Sequence, residues 1–349
     1  MTRSAILRLR HAAACASIVA IAGCGAGATS MSPFVTPPGL ARVAGHLATG
    51  HSWMLPEAKN EDLLYVSDLE AQAVYVYDYR GKANKLVGTI TGFFNPEGLC
   101  VDKKGDVWVT NDSSVGDHQV FEYAHGATSP MQTFEDPDGR VNGCAVDPVT
   151  GNLAVTNFWG ATEGVGGVSI YVGAKNGTPE SYSSDNIYYY YYCGYDDSGN
   201  LYVDGLSYGS NFGFAELPEG GSSFDDITLD QEIYLPGGVQ WDGKYLAVGD
   251  QVAVKHNFNS VIYQFSLSGS TGTEVNYIEP PDANEVAQFW LPRVGIGGKK
   301  NGEATRVIGP NGGGHDTLIW AYPNPGSNPL RTISGENDPI GATVSFARR

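Results

Sequence analysis

From Leu63 to the C-terminus, apolar and polar residues alternate in short runs that break at glycine, and the runs recur in a unit of about 48 residues. The clearest copies are NPEGLCVDKKGDVWVTN (95–111), VNGCAVDPVTGNLAVTN (141–157), YCGYDDSGNLYVDG (192–205) and PGGVQWDGKYLAVGD (236–250). Each reads as a strand closing on Asp, a tight Gly turn and a second strand with period-two alternation. The closing Asp falls at 102, 147, 196 and 242, in steps of 45, 49 and 46 residues. A third strand follows, as AVYVYDY (73–79), QVFEYAHG (119–126), VSIYVGA (168–174), VIYQFSL (261–267) or TLIWAYP (317–323). A weaker fourth comes next, as LVGTITG (86–92), MQTF (131–134) and LRTISG (330–335). Four antiparallel strands per unit predict the blades of a β-propeller in an all-β protein.

Two fragments at opposite ends complete one another. LLYVSD (63–68) matches a second strand with no first strand before it, and PIGATVSF (339–346) matches a first strand, with Ser345 in the Asp position. Pairing Gly341–Phe346 with Leu64–Asp68 closes the ring and hides two sheet edges. Residues 242 to 345 span 103 positions, two further units, so the count is six blades over 51–349. The unit opening at AQFWLPR (287–293) is the least regular, because GGKKNGEA (297–304) lengthens its turn.

The P-x-G-hydrophobic-x-Asp strand, Gly turn and hydrophobic-x-Val-x-Asn/Asp strand resemble the NHL and YVTN-type propeller repeats from Leu63 to Ala347. GDVWVTN, TGNLAVTN, PGGVQWDGKYLAVGD and PIGATVS are similar to segments of uncharacterised exported bacterial propellers. The resemblance implies a six-bladed propeller whose site lies at one channel mouth, in the loops before each first strand and after each second strand. It leaves the chemistry open, since such propellers host lactonases, lyases, oxidoreductases and binding scaffolds.

The first 24 residues have a different character. Arg3, Arg8 and Arg10 precede an apolar stretch (12–22) too short to span a bilayer, and Ile21-Ala22-Gly23-Cys24 resembles a bacterial lipobox. The resemblance implies cleavage before Cys24 and its lipidation; the other reading is ordinary secretion with cleavage after Ala28. Gly25 is followed by Ala26 rather than Asp, which points to the outer membrane or cell surface. Residues 25–50, rich in Gly, Ala, Ser, Thr and Pro, read as a flexible tether. The membrane is therefore met only through lipid on Cys24, and a monomer is expected.

Composition narrows the partners. With 21 basic against 38 acidic side chains the net charge is −17, which repels nucleic acids and anionic lipid surfaces. Beyond Cys15 and Cys24, three cysteines remain, Cys100, Cys144 and Cys193, each on the first strand of successive units. Relative to the closing Asp, Cys144 and Cys193 share a column and Cys100 lies one residue later, so it points the other way. Three buried thiols are expected, with a Cys144–Cys193 bridge left open and no CxxC pair for a metal.

Candidate chemistry concentrates at the mouth. His118, His256 and His315 fall in equivalent loops, with Asp117 and Asp316 beside the first and last, so either pair offers a base with its carboxylate or a metal ligand. Solvated turn histidines are the plainer reading. Glu97, Asp138 and Asn142 offer oxygen ligands for calcium or another divalent cation, the set that a resemblance to gluconolactonase-like propellers implies, although that family's Glu-Gly-Pro is absent. No resident cofactor is expected. Trp159, Glu163 and Tyr208 join the mouth, where aromatic rings suit a sugar or an aromatic ligand, while most of Tyr188–Tyr192 packs between blades.

The columns Asp68, Asn111, Asn157, Asp250 and Asp102, Asp147, Asp196, Asp242 read as turn formers. The chain is thus expected to be an exported, non-enzymatic module that binds a protein or glycan through an acidic, aromatic mouth. The alternative is a metal-dependent, lactonase-like hydrolase or lyase at that mouth.

Overall fold

The computed structural model describes residues 50–81, 83–113, 116–161, 164–293 and 302–348. All of them belong to the second of two units into which the chain divides, His46–Arg349. The signal segment, Cys24 and nearly all of the tether lie outside the described residues.

Six antiparallel sheets follow one another along the chain as the blades of a propeller. Blade 2 is Asn95–Val101, Val107–Asp112, Gln119–Tyr123 and Gln132–Glu135, and blade 3 is Gly139–Val146, Leu153–Gly160, Gly167–Tyr171 and Glu180–Tyr182. Blade 4 runs Tyr189–Tyr195, Leu201–Leu206, Phe212–Leu217 and Asp225–Asp226, and blade 5 runs Pro236–Trp241, Leu246–Asp250, Val261–Ser268 and Thr271–Ile278. A short parallel strand, Thr228–Leu229, leaves blade 4 and adds to the outer edge of blade 5.

Blade 1 is shared between the two ends of the propeller. Pro339–Ser345 is its inner strand and pairs with Leu63–Asp68, from Leu63 opposite Ser345 to Asp68 opposite Pro339. Ala73–Asp78, Leu86–Thr91 and Trp53–Met54 complete it. Ser345, which replaces the turn Asp, binds the Gly105 carbonyl at 2.6 Å and His125 Nδ1 at 2.6 Å, tying the last strand to blade 2.

Blade 6 departs from the four-strand expectation. Arg306–Asn311, Asp316–Ala321 and Arg331–Ser334 form a regular sheet, but among the described residues the inner segment pairs with it through isolated bridges, from Val286 to Asn311 and from Trp290 to Ile308, rather than a continuous ladder. Pro310, between those bridges, has no N–H to donate. The segment bonds sideways instead: Gly238 N–H donates to the Ala287 carbonyl at 2.8 Å and Gln288 N–H to the Ile340 carbonyl at 3.1 Å.

Alternation along each strand sends neighbouring residues into different seams between blades. Leu63 and Tyr65 pack toward blade 2 with Leu99 and Val109, whereas Leu64 and Val66 pack toward blade 6 with Ile308 and Ile319. The core is accordingly divided into six apolar clusters, one per seam.

This geometry corrects the cysteine expectation. Cys100 and Cys144 are joined in a disulfide with Cα atoms 5.7 Å apart, and Cys193 is a buried free thiol. Residues of successive blades meet only when one points forward around the ring and the other backward. The one-residue offset of Cys100 supplies that opposition, placing Cys100 and Cys144 in the seam between blades 2 and 3. Cys193 has the same parity as Cys144 and therefore enters the seam between blades 3 and 4.

Each inner strand except that of blade 6 is bulged at a corresponding position. There, a residue of the second strand clasps two blades at once. Thr110 Oγ1 accepts from Gly98 N–H at 2.8 Å and donates to the Asn142 carbonyl of the next blade. Thr156 repeats this with Gly143 N–H and the Tyr191 carbonyl, and Ser67 with Gly341 N–H and the Glu97 carbonyl. The approach is close enough to require glycine: a Cβ on Gly98 would lie 2.5 Å from the Asn142 carbonyl oxygen.

Blade 4 breaks the pattern twice. Tyr192 stands in the glycine position and is buried, and Asp204 stands in the Ser/Thr position. Asp204 Oδ1 accepts from Tyr192 N–H at 2.9 Å, and Oδ2 has no hydrogen-bond partner among the described residues. Burial pushes this carboxyl well above its ordinary range.

Candidate functional site

The Asp/Asn column at the end of the second strands shapes the mouth by capping its loops, in agreement with the turn-forming role expected for it. Asn111 Oδ1 accepts from the N–H groups of Phe94 and Asn95, and Asp250 from those of Tyr234 and Leu235. Asp68 accepts from Asn337 and Asp338, and Asn157 instead from Ser169 Oγ. At the opposite face, Asp102, Asp147, Asp196 and Asp242 each accept backbone N–H bonds inside their own turn.

One charged cluster forms between blades 2 and 3. Asp112, buried at the end of the strand Val107–Asp112, binds His118 Nδ1 at 2.8 Å through one oxygen and Arg140 at 2.6–2.7 Å through the other. Burial works to raise the Asp112 carboxyl, but the hydrogen bonds and charges of His118 and Arg140 prevail and hold it below its ordinary range. Asp117, the neighbour in sequence, is not among the partners found for His118; Asp112 is the carboxylate that orients its ring.

Glu97 sits half-buried beside this cluster. Its carboxyl is pushed up to about 8, first by desolvation and then by the negative charges of Asp112 and Asp338, with Arg140 opposing. Asp338 is itself raised to about 6 by burial and by Asp68 and Glu70. The Tyr192 hydroxyl lies against the Asn142 side chain and within electrostatic reach of Glu97, so the ring that replaces glycine projects toward the same side chains.

An aromatic surface adjoins the cluster on blades 3 and 4. The Arg140 guanidinium lies over the Phe158 ring at 6.0 Å, and Phe158 stacks on Tyr189 at 5.4 Å. Tyr188 meets Trp159 edge-to-face at 6.0 Å and Tyr208 at 5.2 Å. Tyr208 is 79% exposed, the most exposed of the large apolar or aromatic residues described.

The remaining candidates turn to other partners. Asp138 Oδ2 accepts from Ser169 at 2.9 Å and from Ser181, and Asn142 Nδ2 donates to the Tyr191 carbonyl at 2.6 Å. His256 pairs with Glu279 at 3.2 Å on blade 5, His315 Nδ1 meets the Asn337 carbonyl, and Asp316 accepts from Asn311 at 2.7 Å. The three histidines therefore sit in separate settings. Glu163 lies outside the described residues. Among the described residues, no group of three or more His, Cys, Asp or Glu side chains converges in a way that would hold a metal.

Asp112 and Arg140 are the mouth residues that the sequence does not single out, and Tyr188 is named only within the run Tyr188–Tyr192. Arg140, a cation in the acidic DPDGRVNG loop (136–143), was the available signal.

Known proteins agree with this architecture. No family model matches the chain, so the NHL and YVTN resemblance rests on the repeat residues alone. Peptidyl-glycine alpha-amidating monooxygenases A and B of Xenopus laevis are 38% and 36% identical to it over 74 residues, 19% of this chain. The chain spans 8% of the length of these curated relatives. Among solved structures, a chain of a nidogen/laminin complex superposes with a TM-score of 0.60 at 12% identity, covering 82% of this chain and 100% of that one. A protein of unknown function from Bacteroides caccae gives 0.57 at 12% identity, covering 82% and 99%. Hydrazine synthase of Kuenenia stuttgartiensis gives 0.52 at 14% identity, covering 84% and 80%. The likeness is one of fold.

Proposed function

We propose that this chain is an exported, envelope-anchored binding module that engages its partner through the mouth between blades 2 and 4. The observation that carries the reading is the pairing of an aromatic surface, with Tyr208 exposed and Trp159 and Tyr188 partly exposed beside it, with a charge cluster whose members neutralise one another. Such a surface supplies contact area at low entropic cost, beside directional polar groups. Propellers commonly serve as interaction scaffolds, and the solved neighbour taken from a nidogen/laminin complex fits that use.

Two measurements test the module. Immobilised protein is expected to capture material from envelope extracts, and Tyr208→Ala, at an exposed position, to lose most of that capture at an unchanged melting temperature; equal capture would overturn the reading. For the anchor, Cys24→Ala is expected to abolish lipid labelling and release the protein from membranes, and an unchanged membrane partition would reject it.

A second reading, a metal-dependent hydrolase or lyase at the same mouth, draws on Glu97, whose raised carboxyl lies near the Asp112–His118 pair. It requires divalent-dependent turnover of a lactone or ester that Glu97→Gln removes.

A further inference from the structure

We infer that the ligand of the mouth is a neutral glycan, stacked on Tyr208 and Trp159 and hydrogen-bonded at the Arg140–Asp112–His118 cluster. The inference rests on the binding reading above and names its ligand class. Sugar rings present apolar C–H faces and hydroxyl edges, so they are recognised by exposed aromatic faces beside fixed donors and acceptors that carry no uncompensated charge.

The first requirement is met by the aromatic row. Trp159 and Tyr208 flank Tyr188 edge-to-face at centroid spacings of 6.0 and 5.2 Å, so the three rings form one row with Tyr208 at its exposed end. The row is held in place: a Cβ on Gly164 would come within 2.4 Å of the Trp159 ring, so backbone packs directly against the indole. A platform ordered before binding loses little entropy on contact.

The polar end meets the second requirement. Both oxygens of Asp112 are engaged, one by His118 and one by Arg140, leaving donors on the guanidinium for hydroxyls without an unpaired charge to desolvate. A cationic side chain from a protein partner would find this carboxylate occupied and the Phe158 face covered by Arg140. A polyanionic glycan would meet a chain of net charge −17.

The test is isothermal titration of the full mature protein with neutral hexaoses of glucose and N-acetylglucosamine in β-1,4, β-1,3 and α-1,4 linkage, with heparin as the charged control. At least one neutral oligosaccharide is expected to bind at millimolar concentration or better, and heparin not to bind. Tyr208→Ala should weaken that binding about tenfold or more, whereas Tyr208→Phe, which keeps the ring, should retain it. Both substitutions are at the surface, and unchanged melting curves verify the fold. Absence of binding across the neutral panel, or binding indifferent to Tyr208→Ala, overturns the glycan. If Tyr208→Ala nevertheless loses capture from envelope extracts, the ligand class falls and the binding module stands. If it changes neither, both fall.

Discussion

Deleting residues 339–349 is expected to unfold the protein rather than merely shorten it. The strand Pro339–Ser345 supplies the inner strand of blade 1, and its Ala342 and Val344 are buried in the seam against blade 6. Its loss would expose Leu64 and Val66, at about 1.5–3 kcal/mol for each large apolar side chain, and leave Ser67 without the Gly341 N–H that it clasps. Ser345 would no longer hold Gly105 and His125 on blade 2. Together these losses rival the roughly 5–15 kcal/mol that keeps a domain folded. The measurements are thermal melting and protease resistance of the truncated protein. A truncated protein that melts with the intact one would refute closure by this strand.

Stability is expected to fall as pH rises from about 5.5 to 8, the reverse of the usual behaviour of salt-bridged carboxylates. Glu336 is the clearest contributor. It is buried, accepts from Thr317 at 2.7 Å and lies by Tyr77, and desolvation pushes its carboxyl up to about 8. Glu97 is likewise raised to about 8, and Asp136 and Asp338 to about 6, each chiefly by burial. A carboxyl with a raised native pKa keeps its proton when folded and gives it up when unfolded, so ionisation favours the unfolded chain as pH climbs from the ordinary carboxylate range to the native value. The slope is about 1.4 kcal/mol per pH unit for each group inside its window, as an upper value.

Melting curves at pH 5.5, 6.5 and 8 check the sign, and Glu336→Gln is expected to flatten the slope and to melt above the wild type at pH 8. A melting temperature that rises across this range would refute the assignment.

Fold was legible in the sequence because propeller blades repeat. A period in the closing Asp residues and two half-blades at the ends sufficed for six blades and their closure, since both follow from strand order alone. What escaped depends on the third dimension. Cys144 and Cys193 were left open as a bridge because they share a column; around a ring, residues of opposite parity meet, and Cys144 is bridged to Cys100 instead. The clasp residues Ser67, Thr110 and Thr156 were visible as the hydroxyl before Asp68, Asn111 and Asn157, yet their bonds run to a bulge that alternation does not reveal.

The site was half legible for the same reason. Glu97, His118, Trp159 and Tyr208 were placed at the mouth from loop position. The choice of Asp112 over Asp117 as the partner of His118 depends on which side of a strand end a side chain leaves. Irregularity in blade 6 was expected from its long turn, but the interruption of its inner ladder to isolated bridges lies with Pro310 and with the neighbouring blades.

The clasp also separates what the ring needs from what the rim displays. Hydroxyl-to-carbonyl bonds join blades 1 to 2, 2 to 3 and 3 to 4 at the bulges of the inner strands, and the disulfide adds a covalent rivet between blades 2 and 3. None of these fastenings uses a side chain of the exposed rim around Tyr208. That rim is therefore graftable: new recognition loops can be installed there, as in a modular binder, while the wheel beneath keeps its own joints.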